Sequence, residues 1–143
     1  MSKRGIRNNN PMNIRRGSQW IGLRQVQTDE SFCQFVSMTW GLRAGLYLLR
    51  KYVVRYGLTS VEEIISRWAP ESDGNHTKHY IRRVKSAIRF VNSADEYHFS
   101  KKDFVLVGNS VPPELLVMVQ TMCMIESDYL PTCGEVRAAL RFL

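Results

Sequence analysis

The stretch PPELLVMVQTMCMIE, residues 112–126, constrains the fold of this chain more than any other. Pro112 and Pro113 suit the first turn of a helix, where a missing N–H breaks no intrahelical bond. From Leu115 to Ile125 apolar side chains face almost every direction at helical spacing, so such a helix has no polar side to offer to water. It has to be central, with the other elements laid around it.

The remaining segments supply amphipathic partners. In TWGLRAGLYLLRKYVVRYG, residues Leu42, Leu46, Leu49, Val53 and Tyr56 recur at three-to-four spacing while Arg43, Arg50, Lys51 and Arg55 point elsewhere. Thr39 is the expected cap of that helix and Gly57 its end. A second helix opens at the capping box Ser60-Val61-Glu62-Glu63 and stops before Pro70 in RWAP. A third covers about Thr77 to Val91, with Tyr80, Ile81, Val84 and Ile88 on one face, and Thr132-x-x-Glu135 caps a last short helix. Upstream, QWIGLRQVQT and ESFCQFVS read as two short strands joined by a turn at Thr28-Asp29-Glu30. Trp20, Ile21, Leu23 and Val26 dominate the first strand, and Phe32 and Phe35 anchor the second. The expected fold class is therefore α+β, mainly helical. It is a single domain over residues 1–143, with a polar loop segment at 1–19, a small N-terminal β-hairpin at 20–37 and a helical body of about five helices at 39–143.

Composition agrees with a folded domain, since 143 residues with 44% apolar content are enough for one sizeable core. No run of eighteen apolar residues exists, so no membrane span is expected. The opening MSKRGIRNNN lacks an apolar core of the secretory type, so synthesis in the cytoplasm without a signal peptide is expected. Cys33, Cys123 and Cys133 have no metal-type spacing and are expected as reduced thiols; neither a metal nor a cofactor is implied. Charge is uneven. Residues 1–55 hold ten Lys and Arg against Asp29 and Glu30, a balance of +8, whereas residues 56–143 balance at −1. The N-terminal third thus calls for an anionic partner: nucleic acid, an acidic wall polymer or an anionic membrane surface.

The nucleotide-binding, serine-hydrolase and zinc-protease motifs are absent. What remains is a set of polar residues placed between helices. Glycoside hydrolysis needs one carboxyl group kept protonated by a poorly solvated setting, and a second group to position water or to balance positive charge on the sugar. Asp29 and Glu30, at the expected hairpin turn beside Trp20 or Trp40, are the catalytic candidates. The loop RWAPESDGNHTKHY offers Glu71, Asp73 and Asn75 as the second component. Sugar rings stack on flat aromatic faces, which brings in Trp20, whereas Trp68 at the end of its helix is assigned a structural role. The amides of Asn9, Asn10 and Asn13 suit hydroxyl and N-acetyl groups, and the run also suits turns.

With these pieces in place, the chain resembles the small lysozyme-like proteins of phages and prophages, a family labelled virion structural protein P5 or phage-associated muramidase. The resemblance rests on RGIRNNNP followed by NIR, then WIG, F-C-Q-F, GLRAG, LLRKY, RWAP and N-H-T-K-H-Y-I in the same order, and on the closing MCMIESDYLPTCGEVRAALRFL. A fainter likeness exists to bacterial glucosaminidases, which carry N-x-x-x-I-K, then W-x-G, a hairpin and a helix. Three positions depart from the family pattern: Met12 stands where glycine is usual, Met38-Thr39-Trp40 where an acid precedes G-x-R-A, and Gly74-Asn75 where Glu-Asn is common. Nor does a carboxylate precede Asp29, as one does in the glucosaminidases.

The resemblance implies a lysozyme-like fold that engages peptidoglycan glycan strands, with glycosidase action of muramidase or glucosaminidase type through Glu30 and Asp29. It implies a virion-associated or periplasm-delivered protein with other virion or secretion-apparatus proteins as partners. An alternative is a non-catalytic virion or secretion-system structural protein with the same fold. A nucleic-acid-binding protein, using Arg4, Arg7, Arg15 and Arg16, ranks last.

Overall fold

The computed structural model describes residues 3–143, so Met1 and Ser2 at the start of the expected 1–19 segment lie outside the described residues. Six α-helices form the body: α1 (Lys3–Arg7), α2 (Met38–Arg50), α3 (Val61–Trp68), α4 (Thr77–Arg89), α5 (Pro113–Ser127) and α6 (Cys133–Arg141). Helix α2 widens into a π-helical turn over Lys51–Arg55, and short 3-10 turns occur at Glu71–Asp73 and Lys101–Phe104.

Helix α5 is central, as its apolar circumference demands. Leu115, Met118, Val119, Met122, Cys123 and Ser127 are buried on it, and α4 and α1 pack against it. Helix α2 lies against α6, and α3 against α4. The capping boxes expected at Ser60/Glu63 and Thr132/Glu135 are both formed, each with the hydroxyl accepting from the third backbone N–H and the glutamate reaching back. Helix α2 starts at Met38 behind Ser37, one residue before the expected Thr39 cap, and Gly57 follows its end with φ +68°. The core runs as one buried cluster from Met12 and Phe35 through α2, α3 and α5 to Leu140.

The expected α+β class is overturned at residues 20–37. No strand and no β-hairpin forms among the described residues; the segment makes only the isolated bridges Arg15↔Phe32 and Leu23↔Phe35. Two physical reasons account for this. Ile21 and Val26 are 57% and 71% exposed, so the first run has no continuous apolar face to bury. In addition, side chains take the place of a backbone ladder. The Gln27 amide donates to the carbonyls of Arg24 and Gln34 (2.9 and 2.8 Å) and accepts from the Gln34 N–H (2.8 Å). Gln34 in turn accepts from the Thr28 N–H (2.6 Å). With these backbone groups already satisfied, extended pairing has nothing further to contribute.

The asparagine run works in the same way. Asn10 is fully buried; its Nδ2 donates to the carbonyls of Ile14 and Cys33 (2.9 Å each) and its Oδ1 accepts from the Ile14 N–H (2.9 Å). Asn8 is also buried, bonded to Gln34 (3.0 Å) and Asp29 (3.1 Å). This loop lies directly on α2, because Gly41 and Gly45 leave room for it. A Cβ at Gly41 would stand 1.9 Å from the Asn9 carbonyl oxygen, and one at Gly45 would stand 2.1 Å from the Met12 sulfur. The thioether of Met12, 1% exposed, thus fills the space left open by the second glycine of GLRAG. The left-handed positions are Asn9 (φ 51°) and Asn13 (φ 53°), so the unusual backbone that a glycine would serve lies on either side of Met12 rather than at it.

Candidate functional site

The folding of the asparagine loop onto the last turn of α5 creates a cleft of about 480 Å³. Its floor and walls come from four places: the N-terminal segment (Arg4, Met12–Arg15, Ser18, Trp20, Phe32), α2 (Leu48, Tyr52), the end of α3 with the loop behind it (Arg67–Pro70, Asp73, Asn75), and Glu126 on α5. The volume falls within the roughly 300–1,000 Å³ of small-ligand sites.

Glu126 is the chemical centre. Its Oε2 accepts from the Trp68 indole N–H (3.2 Å) and from the Tyr80 hydroxyl (3.1 Å), while Oε1 has only a long contact with Asn13 Nδ2 (3.4 Å). Burial raises its pKa above the usual carboxylate range; the donors Trp68, Tyr80 and Asn13 and the charge of Arg15 pull the other way without cancelling the effect. Asn13 reaches this place because its left-handed backbone turns the amide toward α5, where Nδ2 also binds the Glu126 carbonyl (2.8 Å) and so satisfies an acceptor at a helix end. At the other edge Gly5 sits on Ser127, where a Cβ would stand 1.8 Å from Oγ, and this contact brings α1 and its Arg4 to the cleft.

Three polar atoms that belong to cleft-lining residues are shielded from solvent and have no hydrogen-bond partner: Asn13 Oδ1, Trp20 Nε1 and Arg4 Nε. A buried donor or acceptor left unpaired costs about 1–3 kcal/mol. All three are closed off from solvent, so they record tight packing of the cleft wall rather than groups presented to a ligand.

Of the residues singled out from the sequence, Asn13, Trp20, Asp73 and Asn75 line this cleft together. Asn9 donates to the Phe35 carbonyl (3.2 Å), Asn10 is enclosed as described, and Glu71 lies on the neighbouring depression with Gly74 and Lys78. Asp29 and Glu30 stand outside the cleft lining. Asp29 organises its own turn: Oδ1 accepts from the N–H groups of Ser31 and Phe32 (2.9 and 3.0 Å) and Oδ2 from Asn8, which together bring its pKa down to about 2.

The residues that sequence reasoning passed over are Glu126 itself, Tyr80, and Trp68 as a donor to the carboxyl group. A signal for Glu126 was present. A helix that is apolar on every side is enclosed on every side, so an acid near its end has to be poorly solvated. Among the described residues no group of three or more His, Cys, Asp or Glu side chains converges as metal ligands would.

The chain is similar to Protein P5 of Pseudoalteromonas phage PM2, with 49% identity over 85 residues that cover 57% of this chain and 52% of that protein. The chain thus spans about half the length of the curated relative it matches, and is related to a phage protein. No family model matches it. No helix of the described residues is long and apolar enough to cross a membrane.

Proposed function

We propose that this phage-related protein engages peptidoglycan and hydrolyses its glycan strand, with Glu126 as the general acid in place of Asp29 or Glu30. The observation that carries this reading is a cleft carboxyl group with a raised pKa whose two oxygens have different surroundings. Trp68 Nε1 can only donate, and Tyr80 binds the same oxygen, so the acidic proton resides on Oε1, the oxygen left nearly free.

The chemistry follows from that placement. Oε1 gives its proton to the glycosidic oxygen as the bond from that oxygen to the anomeric carbon breaks, its electron pair staying with the departing sugar. The carboxylate that remains is held by the Trp68, Tyr80 and Asn13 donors and by the charge of Arg15, so the groups that limit the rise in pKa also stabilise the conjugate base. Asp73, from the far wall, is the candidate for orienting the water that attacks the positively charged sugar and for taking its proton. Trp20, on the cleft lining, provides a stacking face for a sugar ring. The phage relation supports a virion-associated protein working among other virion proteins, and on the present reading the cell wall is its target.

The test uses purified sacculi. Wild-type protein releases soluble muropeptides and Glu126→Gln, with the same shape and no transferable proton, loses about a thousandfold in rate. Release by Glu126→Gln at the wild-type rate overturns the assignment. Binding of sacculi by folded wild-type protein without any release reduces the role to docking, the non-catalytic virion component.

A further inference from the structure

The cleft that holds Glu126 also holds an excess of positive charge that no protein group balances. Arg4, Arg15 and Arg67 all line it, against Glu126 and Asp73. The ion pairs among the described residues are Lys85–Glu62 and His98–Glu96, so none of the three cleft arginines meets a carboxylate at salt-bridge distance. Instead each guanidinium rests on an aromatic face. Arg4 and Arg15 lie over the Phe32 ring, 4.0 and 5.1 Å from its centre, and Arg67 lies over Tyr56 and Tyr52 at 5.1 and 5.6 Å. Stacking of this kind restrains the planar fork while leaving its N–H edge unused. Two of these cations belong to different segments, Arg15 to the asparagine loop and Arg67 to the end of α3. Those segments are tied together through Glu126, which accepts from Asn13 on one and Trp68 on the other.

Even with both acids ionised, Glu126 and Asp73 supply two negative charges against the three arginines of the lining. A neutral glycan would leave them facing a vacant polar cleft, whereas a sugar with an attached carboxylate matches the bidentate geometry of a guanidinium. We infer that Arg15 and Arg67 make this cleft selective for a glycan strand that carries a carboxylate substituent beside the bond under attack. The inference rests on the glycan-cleft reading above and deepens it by naming the feature of the substrate that is recognised. Arg15 and Arg67 are exposed, so their replacement leaves the core intact.

Binding, measured by calorimetry on full-length Glu126→Gln and repeated with the wild-type chain, tests this without dependence on turnover. The probes are soluble peptidoglycan glycan strands with free carboxylates, and the same strands after conversion of those carboxylates to neutral amides. The parent binds the free-carboxylate strands about tenfold more tightly. Adding Arg15→Gln and Arg67→Gln removes that preference while the weaker affinity for the amidated strands remains. Arg82→Gln together with Arg89→Gln, a matched loss of two charges at exposed positions of α4, leaves the preference in place. Equal affinity for the two strands, or a preference that survives the double substitution, overturns carboxylate selection and leaves the glycan cleft standing. Absence of binding to both strands by both proteins overturns the cleft reading itself. A preference that vanishes equally in the Arg82→Gln, Arg89→Gln protein reduces the effect to general charge and overturns the inference.

Discussion

Asp29 and Glu126 are both carboxylates that accept hydrogen bonds from an asparagine of the same loop, yet they are set to opposite states. Asp29 sits at a surface turn, where two backbone N–H groups and Asn8 bind the anion and bring its pKa down to about 2. Glu126 also has three donors, but α5, Trp68 and Tyr80 crowd it and leave it half-buried, and desolvation outweighs the donors. The difference shows that counting hydrogen bonds does not reveal whether a carboxyl group is available as an acid. Hydrogen bonds to the anion and desolvation act on the same ionisation equilibrium in opposite directions, and desolvation is small at the Asp29 turn but large where α5, Trp68 and Tyr80 crowd Glu126. The turn aspartate clamps its loop as an anion; the crowded cleft glutamate is the one proposed as the acid.

The comparison can be broken most decisively at Glu126. Glu126→Gln lowers muropeptide release by about a thousandfold while thermal unfolding at neutral pH occurs at the same or a higher temperature, since glutamine keeps the side-chain shape and an oxygen acceptor for Trp68 and Tyr80. Glu126→Ala, which strands the Trp68 and Tyr80 donors, lowers stability by about 2 kcal/mol in denaturant titration. A simultaneous collapse of stability in the glutamine variant would make Glu126 a structural residue of the same kind as Asp29.

The next effect concerns the loop that joins the two regions. Asn10→Ala removes three buried hydrogen bonds and leaves the Cys33 carbonyl and the Ile14 N–H unpaired, the Ile14 carbonyl keeping the Cys33 N–H, with a loss of about 3 kcal/mol. An unchanged unfolding midpoint would mean that this amide is not what anchors the loop to the cleft.

The pH profile sharpens the contrast. The proposed acid works only while protonated, so the rate falls as pH rises through the elevated pKa of Glu126. Arg15 acts to lower that pKa, so Arg15→Gln moves the alkaline limb to higher pH by a fraction of a unit. A shift to lower pH contradicts the assignment. Asp29 follows the reverse sign: its depressed pKa contributes stability present above the unfolded value, which is lost as pH falls toward about 2. Asp29→Asn therefore flattens the acid end of the stability profile and changes muropeptide release by less than about twofold. A large loss of activity in a stable Asp29→Asn protein would transfer the catalytic role back to the turn.

Much of the fold was legible from local chemistry. Ser60 and Glu63, or Thr132 and Glu135, fall within one helical turn of each other, so their capping boxes depend on nothing remote. The central position of α5 was legible because a helix apolar on all sides has only one stable location. The hairpin failed because alternation of Trp20, Ile21, Leu23 and Val26 looks identical whether backbone or side-chain groups complete the hydrogen bonds. Gln27 and Gln34, which decide the matter, become partners only once the chain has turned back on itself.

At the site the division falls along the same line. Asn13, Trp20, Asp73 and Asn75 could be picked out because loop amides, acids and an indole between helices suit a polar ligand, but the same residue types at Asn8, Asn10 and Asp29 serve the loop's own hydrogen bonds. Their assembly around Glu126 could not, since Asn13 and Glu126 are 113 residues apart and meet only where the asparagine loop caps the end of α5. By itself the sequence determined which segments are helical, where they are capped and which helix is enclosed, because those properties arise within a few turns of chain. Only the tertiary structure decided which carboxyl group has a raised pKa, because that depends on how much water the packed neighbours leave beside it.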